Sequence, residues 1–283
     1  MPEPDVRTQK MISVLTPEVK GQIDRLRMRW ALWEGLCLTG YDDHGPWGEW
    51  DLIPHVPIQR SRIYTGTPHT GSYNHHSQLT KFQGKYYFIF SNGIVDEEEA
   101  GQRTMLSTSE DGVHWSEAKC IIPADVDAGM WRNTIGLYSD DRQLVAWTDT
   151  KWDKVHSTEP GMSSTGPATK SRLDAYVSTD GENWEPHEGL GERVCFFEAP
   201  RPTQDGTLLT GGTAQGGAAA LRWAADNPAS APEILPLGRS ESGGAFPYGE
   251  ATWYQTDDGR IWMYWRDEAA SLRLYLSLSE DDG

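Results

Sequence analysis

The spacing of apolar residues in this chain changes character between its first sixty residues and the rest. Val19, Ile23, Leu26, Trp30 and Trp33 follow one another at helical spacing and lay one stripe along a helix. Thr16 stands at the capping position, Pro17 in the first turn, and Gly35 marks the end, so the pattern predicts a short helix over residues 17–35. Residues 41–57 hold Gly, Pro, Asp and aromatics without a period and predict an irregular loop, in which His44 and His55 are read as surface or structural. Residues 1–60 are thus read as a lead-in and residues 61–283 as a separate body.

In that body, turns of Gly and Asp are followed by short apolar runs. Gln83-Gly84-Lys85 leads into Tyr86-Tyr87-Phe88-Ile89-Phe90, and Asp140-Asp141-Arg142 into Leu144-Val145-Ala146-Trp147. Asp205-Gly206-Thr207 leads into Leu208-Leu209-Thr210, and Asp258-Gly259-Arg260 into Ile261-Trp262-Met263-Tyr264-Trp265. From Gly84 to Gly259 is 175 residues over three intervals, a period of about 58. A repeat of about 50 residues with four strands per unit marks a β-propeller. The expected fold class is therefore all-β: four consecutive four-stranded blades, with the short helix ahead of them.

A second repeat runs inside the first. Ser109-Glu110-Asp111-Gly112-Val113-His114-Trp115 is followed by Ser178-Thr179-Asp180-Gly181-Glu182-Asn183-Trp184, and a third copy begins at Ser279-Glu280-Asp281. Each predicts a hairpin between a blade's third and fourth strands: Asp caps backbone N–H groups, Gly takes a positive φ and Trp packs between blades. Asp111 and Asp180 are therefore structural. The third copy stops at Gly283, so the fourth blade is expected to lack its outer strand and the chain to be the front part of a longer one.

Composition narrows the partners. The 25 Lys and Arg against 42 Asp and Glu give a formal charge of −17, which argues against a nucleic-acid footprint. No stretch of eighteen apolar residues suggests a membrane span. The N-terminus carries no signal-peptide pattern, so the expected compartment is the cytoplasm. Cys37, Cys120 and Cys195 stand apart and are expected to be buried, reduced thiols. No Cys/His cluster has zinc spacing, and neither a metal nor a cofactor is expected.

The first strand of a propeller blade lines the central channel. Counting back about eight residues from each turn aligns His76, Asn133, Glu198 and Glu250, a ring of polar side chains at one height. A water-filled channel without chemistry is the alternative. Asn92, Arg103, Arg201, Tyr248 and Arg266 lie near strand ends on the same side and are candidates for binding substrate, the arginines as forks for a carboxylate. The run Asp96-Glu97-Glu98-Glu99 reads as a solvated loop, and residues 151–170 as a flexible rim. His76 is the expected acid–base residue, because an imidazole titrates near neutral pH. His75 is expected to point the opposite way along the strand and to be structural.

The Ser-x-Asp-Gly turns resemble the Asp-box of sialidase-type propellers. Tyr73-Asn74-His75-His76, Ser91-Asn92-Gly93, Gly101-Gln102-Arg103, Phe197-Glu198-Ala199-Pro200-Arg201-Pro202 and Tyr248-Gly249-Glu250-Ala251-Thr252-Trp253-Tyr254 resemble the group that includes ulvan lyases and rhamnosyl-glucuronate hydrolases and lyases. The resemblance implies a propeller of seven or six blades, about four of them present, and a histidine matching His75 or His76 at the centre of the chemistry. It implies an enzyme that cleaves a uronate- or rhamnose-containing glycan, an anionic carbohydrate, with His76, His75, Glu198 and Glu250 as catalytic candidates. Two other readings stay open. One is an exo-sialidase using Arg103, Arg201 and Arg266 on a carboxylate with Glu198 or Glu250 paired to a Tyr; the other is a non-catalytic carbohydrate-binding or scaffold propeller.

Overall fold

The computed structural model describes residues 59–154, 168–237, 250–266 and 274–281, and these contain strands and no helix. The helix expected over 17–35, the loop over 41–57, Cys37 and Tyr248 lie outside the described residues. The strands form four antiparallel sheets in chain order, the blades of a β-propeller. Blade one contains β1 (Tyr73–Phe82), β2 (Lys85–Gly93), β3 (Arg103–Ser109) and β4 (Lys119–Ile122). Blade two contains β5 (Trp131–Ser139), β6 (Leu144–Lys154), β7 (Ala168–Ser178) and β8 (Glu185–Glu192). In blade three the inner strand is split into β9 (Val194–Phe196) and β10 (Arg201–Pro202), both paired to β11 (Leu208–Ala214), which is followed by β12 (Gly217–Trp223) and β13 (Glu233–Pro236). Blade four shows β14 (Ala251–Gln255), β15 (Ile261–Arg266) and β16 (Leu274–Ser279) among the described residues.

The period-2 alternation of strand side chains builds this arrangement. In β6, Leu144 and Ala146 pack with Phe82, Tyr87 and Ile89 of blade one, while Val145 and Trp147 pack with Phe196, Leu208 and Trp223 of blade three. In β11, Leu208 belongs to that second layer, while Leu209 joins Trp253, Met263 and Trp265 of blade four. The second strands β6 and β11 thus each feed apolar residues to two neighbours, and three hydrophobic layers tie the four blades together.

The hairpins between third and fourth strands follow their expected logic. Asp111 Oδ1 accepts from the amides of Val113 and His114, both at 2.8 Å, and Asp180 Oδ1 accepts from those of Glu182 and Asn183 at the same distance. These bonds hold both carboxyls well below the usual carboxylate range, led for Asp111 by its side-chain contact with His114. Trp184 packs into the layer between blades one and two; Trp115 instead meets Phe88 of its own blade, 5.9 Å between ring centres.

Gly181 offers a test of this packing. Its φ is +74°, and a Cβ there would overlap the Tyr87 hydroxyl of blade one; Gly84, at φ +86°, has nothing within 4 Å of that position. Both Gly→Ala substitutions share the backbone strain, so Gly181→Ala should cost about 1–3 kcal/mol more than Gly84→Ala, from overpacking alone. Denaturant midpoints compare the two; equal losses would mean that the hairpin does not press on blade one.

Two expectations need correction. Residues 151–154 and 168–170 are not a loose rim: Trp152 pairs with Lys170 and Lys154 with Ala168, so β6 and β7 extend as a ladder, and only 155–167 lie outside the described residues. Cys120 is exposed on the outer strand β4 and Cys195 is half-buried; both are free thiols, and the position of Cys120 at the blade edge leaves it outside the layers.

Candidate functional site

A cleft of about 560 Å³ opens where the inner strands meet. His75 and His76 of β1 form one wall, Phe197 lies between β9 and β10, and Glu250 to Thr252 and Tyr264 to Arg266 of blade four form the other wall. Across the channel the Gln78 side chain donates to the Phe197 carbonyl at 3.2 Å. Blades one, three and four therefore meet at this point, which is why residues far apart in sequence share one cavity.

The two histidines do not alternate. The register of β1 against β2 shifts between His75 and Gln78, and His76 takes φ +52°, a left-handed conformation uncommon for a non-glycine residue. The bulge turns both imidazoles toward one carboxylate. His75 Nδ1 lies 3.3 Å and His76 Nε2 3.5 Å from the same Glu97 Oε1, and the two rings are 4.1 Å apart. His75 is thus part of the cluster, contrary to the structural role expected from simple alternation. His75 Nδ1 also meets the Tyr73 hydroxyl at 2.9 Å, and His76 Nδ1 faces the Ser91 hydroxyl at 3.5 Å. Phe197 lies 5.2 Å from the His76 ring.

The environments of these groups differ. His76 is nearly enclosed and His75 half exposed. Burial pushes the His76 imidazole down to about 4, with His75 and Lys151 acting the same way and Glu250 and Glu98 opposing. The neighbouring carboxylates do not dominate, because removal from water outweighs them. Burial, and then Glu97 through charge and hydrogen bonding, raise the Tyr73 phenol above its ordinary value.

The acidic run is not a solvated loop. Glu97 meets both histidines, and Glu98 Oε1 pairs with Lys151 Nζ at 2.5 Å. Lys151 also lies 3.3 Å from the buried Asp149, whose other oxygen accepts the Ser171 hydroxyl at 2.7 Å. Burial opposes the Lys151 charge, but Asp149 and Glu98 overcome it and raise its pKa. Asn133, one of the four ring residues, is buried here: it accepts from Gln102 at 2.5 Å and donates to Glu98 at 3.3 Å. It supports the acidic loop from below rather than lining the cleft.

The remaining candidates divide. Glu250 and Arg266 form an ion pair in the cleft, reinforced by the Arg266 amide donating to the Glu250 carbonyl at 2.9 Å. Glu198 is turned to Arg201, at 3.1 Å, and the Arg201 guanidinium lies 4.5 Å from the centre of the Trp253 ring and donates to the Trp253 carbonyl. That pair bridges blades three and four and does not line the cleft, although Glu198 Oε2 is buried without a hydrogen-bond partner. Asn92 accepts from Arg103 at 3.1 Å and donates to Asn74 at 2.9 Å, and Arg103 reaches the Thr70 carbonyl at 3.2 Å. Those two residues hold the approach to β1 and take no part in the cleft wall. The three arginines proposed as one carboxylate clamp are therefore engaged at three separate places.

Sequence reasoning missed Tyr73, Glu97, Glu98, Asp149 and Lys151. The bulge that converges on Glu97 leaves no signature in the residue pattern. Among the described residues, His75, His76 and Glu97 form one group whose ligand-capable atoms lie within 4.8 Å of each other. No helix among the described residues is long and apolar enough to cross a membrane.

The BT_1020-like N-terminal β-propeller family matches residues 57–152. No curated protein matches the sequence. The fold is similar to a Dyadobacter fermentans protein of unknown function, with a TM-score of 0.58 and 16% identity over 79% of this chain and 69% of that one. It is similar to the family 117 glycoside hydrolase Zg3597 of Zobellia galactanivorans, with a TM-score of 0.53 and 13% identity over 79% of this chain and 71% of that one. It is also similar to a Trypanosoma rangeli sialidase in complex with 2,3-difluorosialic acid, with a TM-score of 0.53 and 12% identity over 75% of this chain and 37% of the sialidase. At these identities the likeness is one of fold.

Proposed function

We propose that this propeller is a carbohydrate-active enzyme that cleaves a uronate- or rhamnose-containing glycan in the cleft between blades one and four. One observation carries the reading: paired imidazoles from β1 face the Glu250–Arg266 pair across a cavity walled by Phe197 and Tyr264. Aromatic faces suit the apolar side of a sugar ring, and the charged groups suit its hydroxyls and carboxylate. That the fold is shared with a sialidase and a family 117 glycoside hydrolase supports the carbohydrate reading.

In the mechanism, Arg266 draws charge from the uronate carboxylate and makes the neighbouring C5 proton more acidic. His76 accepts that proton. The C5 electron pair forms the C4–C5 double bond as the C4–O bond breaks, and the Tyr73 phenol, which keeps its proton, supplies it to the leaving oxygen. A hydrolase would use the same imidazole differently: His76 takes a proton from water, the water oxygen bonds the anomeric carbon as its bond to the glycosidic oxygen breaks, and the Tyr73 phenol gives its proton to that departing oxygen. The elimination leaves an unsaturated uronate with strong ultraviolet absorbance, whereas hydrolysis yields new reducing ends without it.

The test is incubation with rhamnosyl-glucuronate oligosaccharides, following both signals. New reducing ends are expected in either case; their absence across uronate and neutral rhamnose substrates would remove the reading. Arg266→Ala should weaken the preference for a uronate over its neutral counterpart by about 10-fold in kcat/KM, the size of one charge-assisted contact. An unchanged ratio would detach Arg266 from the carboxylate.

A further inference from the structure

The contacts of Glu97 are odd for an ordinary ion-pair network. Its Oε1 faces two imidazole nitrogens at 3.3 and 3.5 Å, both longer than the about 2.7–2.9 Å of a strong charge-assisted hydrogen bond. The Ser91 hydroxyl sits 3.5 Å from His76 Nδ1 and already accepts the Thr134 amide at 2.8 Å. Its own proton suits Nδ1 as acceptor, which leaves the Nε2–H of a neutral imidazole to face the Glu97 carboxylate, the proton that a cation on Nε2 would displace. On the other side, His75 Nδ1 meets the Tyr73 hydroxyl at 2.9 Å, and that hydroxyl carries a single proton for both the imidazole and Glu97. Three ligand-capable groups thus converge on one point at separations too long for strong hydrogen bonds. The backbone is held left-handed at His76 to produce this convergence, a conformation uncommon for a residue with a Cβ.

We propose that His75, His76 and Glu97 form a binding site for a divalent transition-metal ion of the zinc class. Two imidazoles and one carboxylate are a donor set for such an ion rather than for calcium or magnesium, which prefer oxygen ligands throughout. The three ligand-capable atoms lie within 4.8 Å of one another, a spread that modest rotations would contract onto bonds of about 2.0–2.2 Å. Ser91 is the outer partner that orients one ring. With three protein ligands a fourth position stays open, and both histidines border the cleft, so that position faces the cavity and takes water or a sugar hydroxyl. The inference rests on the glycan-cleaving reading only for what the ion does in catalysis: with His76 held on the ion, the base next to the substrate would be the ion's bound water in place of the free imidazole. Binding itself needs no substrate.

The experiment is calorimetric titration of the metal-stripped full chain with zinc chloride alone, repeated with cobalt(II) for its visible absorption. One equivalent per chain is expected. Glu97→Gln, which keeps the shape of the side chain, and His75→Ala, at a half-exposed position, should each weaken binding by about 10-fold or more, a conservative figure since even outer-shell partners are worth 10–100-fold. His114→Ala, on an outer hairpin of blade one, should bind as the unaltered chain does. Absence of a one-equivalent isotherm, or affinity that survives both ligand substitutions, overturns the site. Because the readout is binding, a failed metal site leaves the glycan reading standing, and absent glycan turnover leaves the metal site standing.

Discussion

His76→Ala is expected to lower turnover on a rhamnosyl-glucuronate oligosaccharide by about 100-fold or more, the lower end for a lost acid–base group. The imidazole stands on the cleft wall, nearly enclosed, between Phe197 and Glu97. Its removal takes away the base whether it acts on the sugar directly or through a bound ion. Alanine at φ +52° adds backbone strain, so His76→Asn is the better companion, since asparagine tolerates the left-handed region. Both substitutions should be slow while the thermal unfolding of the asparagine variant stays near that of the unaltered chain. His75→Ala should also slow turnover, because His75 shares Glu97 with His76. Initial rates at saturating substrate measure all three; full activity in His76→Asn would end the assignment.

Trp147→Ala is expected to be the most destabilising single truncation, costing about 3–5 kcal/mol. The indole is fully buried at the centre of the layer between blades two and three. Its ring centre lies 5.9 Å from that of Phe196 and 6.0 Å from that of Trp223, and those two are 5.7 Å apart, an aromatic triangle contributed by both blades. Gly136 exists to admit it: a Cβ there would come within 2.9 Å of Phe196 and 3.1 Å of Trp147. Neither blade can close such a void alone, because each is held by its own ladder. Denaturant unfolding should show the full loss; a change under about 1 kcal/mol would mean that the layer relaxes around the gap.

The blades were legible because their signal is local and repeated. Turns at Gly84, Asp141, Gly206 and Gly259 and the alternation in Leu144 to Trp147 or Leu208 to Leu209 specify strands and faces without distant information. The Ser109 and Ser178 hairpins are likewise contained within a few residues. The site was legible only in part. Phase picked out His76, Asn133, Glu198 and Glu250 as residues at one height on inner strands; His76 and Glu250 line the cleft, while Asn133 and Glu198 turn to Gln102 and Arg201 beside it. His75 was misassigned because alternation assumes an unbroken ladder, and one bulge reverses the face of every side chain beyond it. Glu97 and Glu98 were misread because an acidic run is ordinarily solvated, and the lysine and histidines that pair with them come from other strands. Arg201 and Arg103 have the chemistry of carboxylate forks, but Trp253 and Asn92 engage them first.

The central claim is a location: sugar binds between the paired histidines and Arg266. A crystal structure of the chain soaked with a rhamnosyl-glucuronate disaccharide tests it directly. The expected density lies in the cleft, with the uronate carboxylate on Arg266 and a ring against Phe197 or Tyr264. A sugar found instead in the separate groove of blade one lined by Arg60, Tyr64 and Phe90, with the cleft empty, would contradict the account.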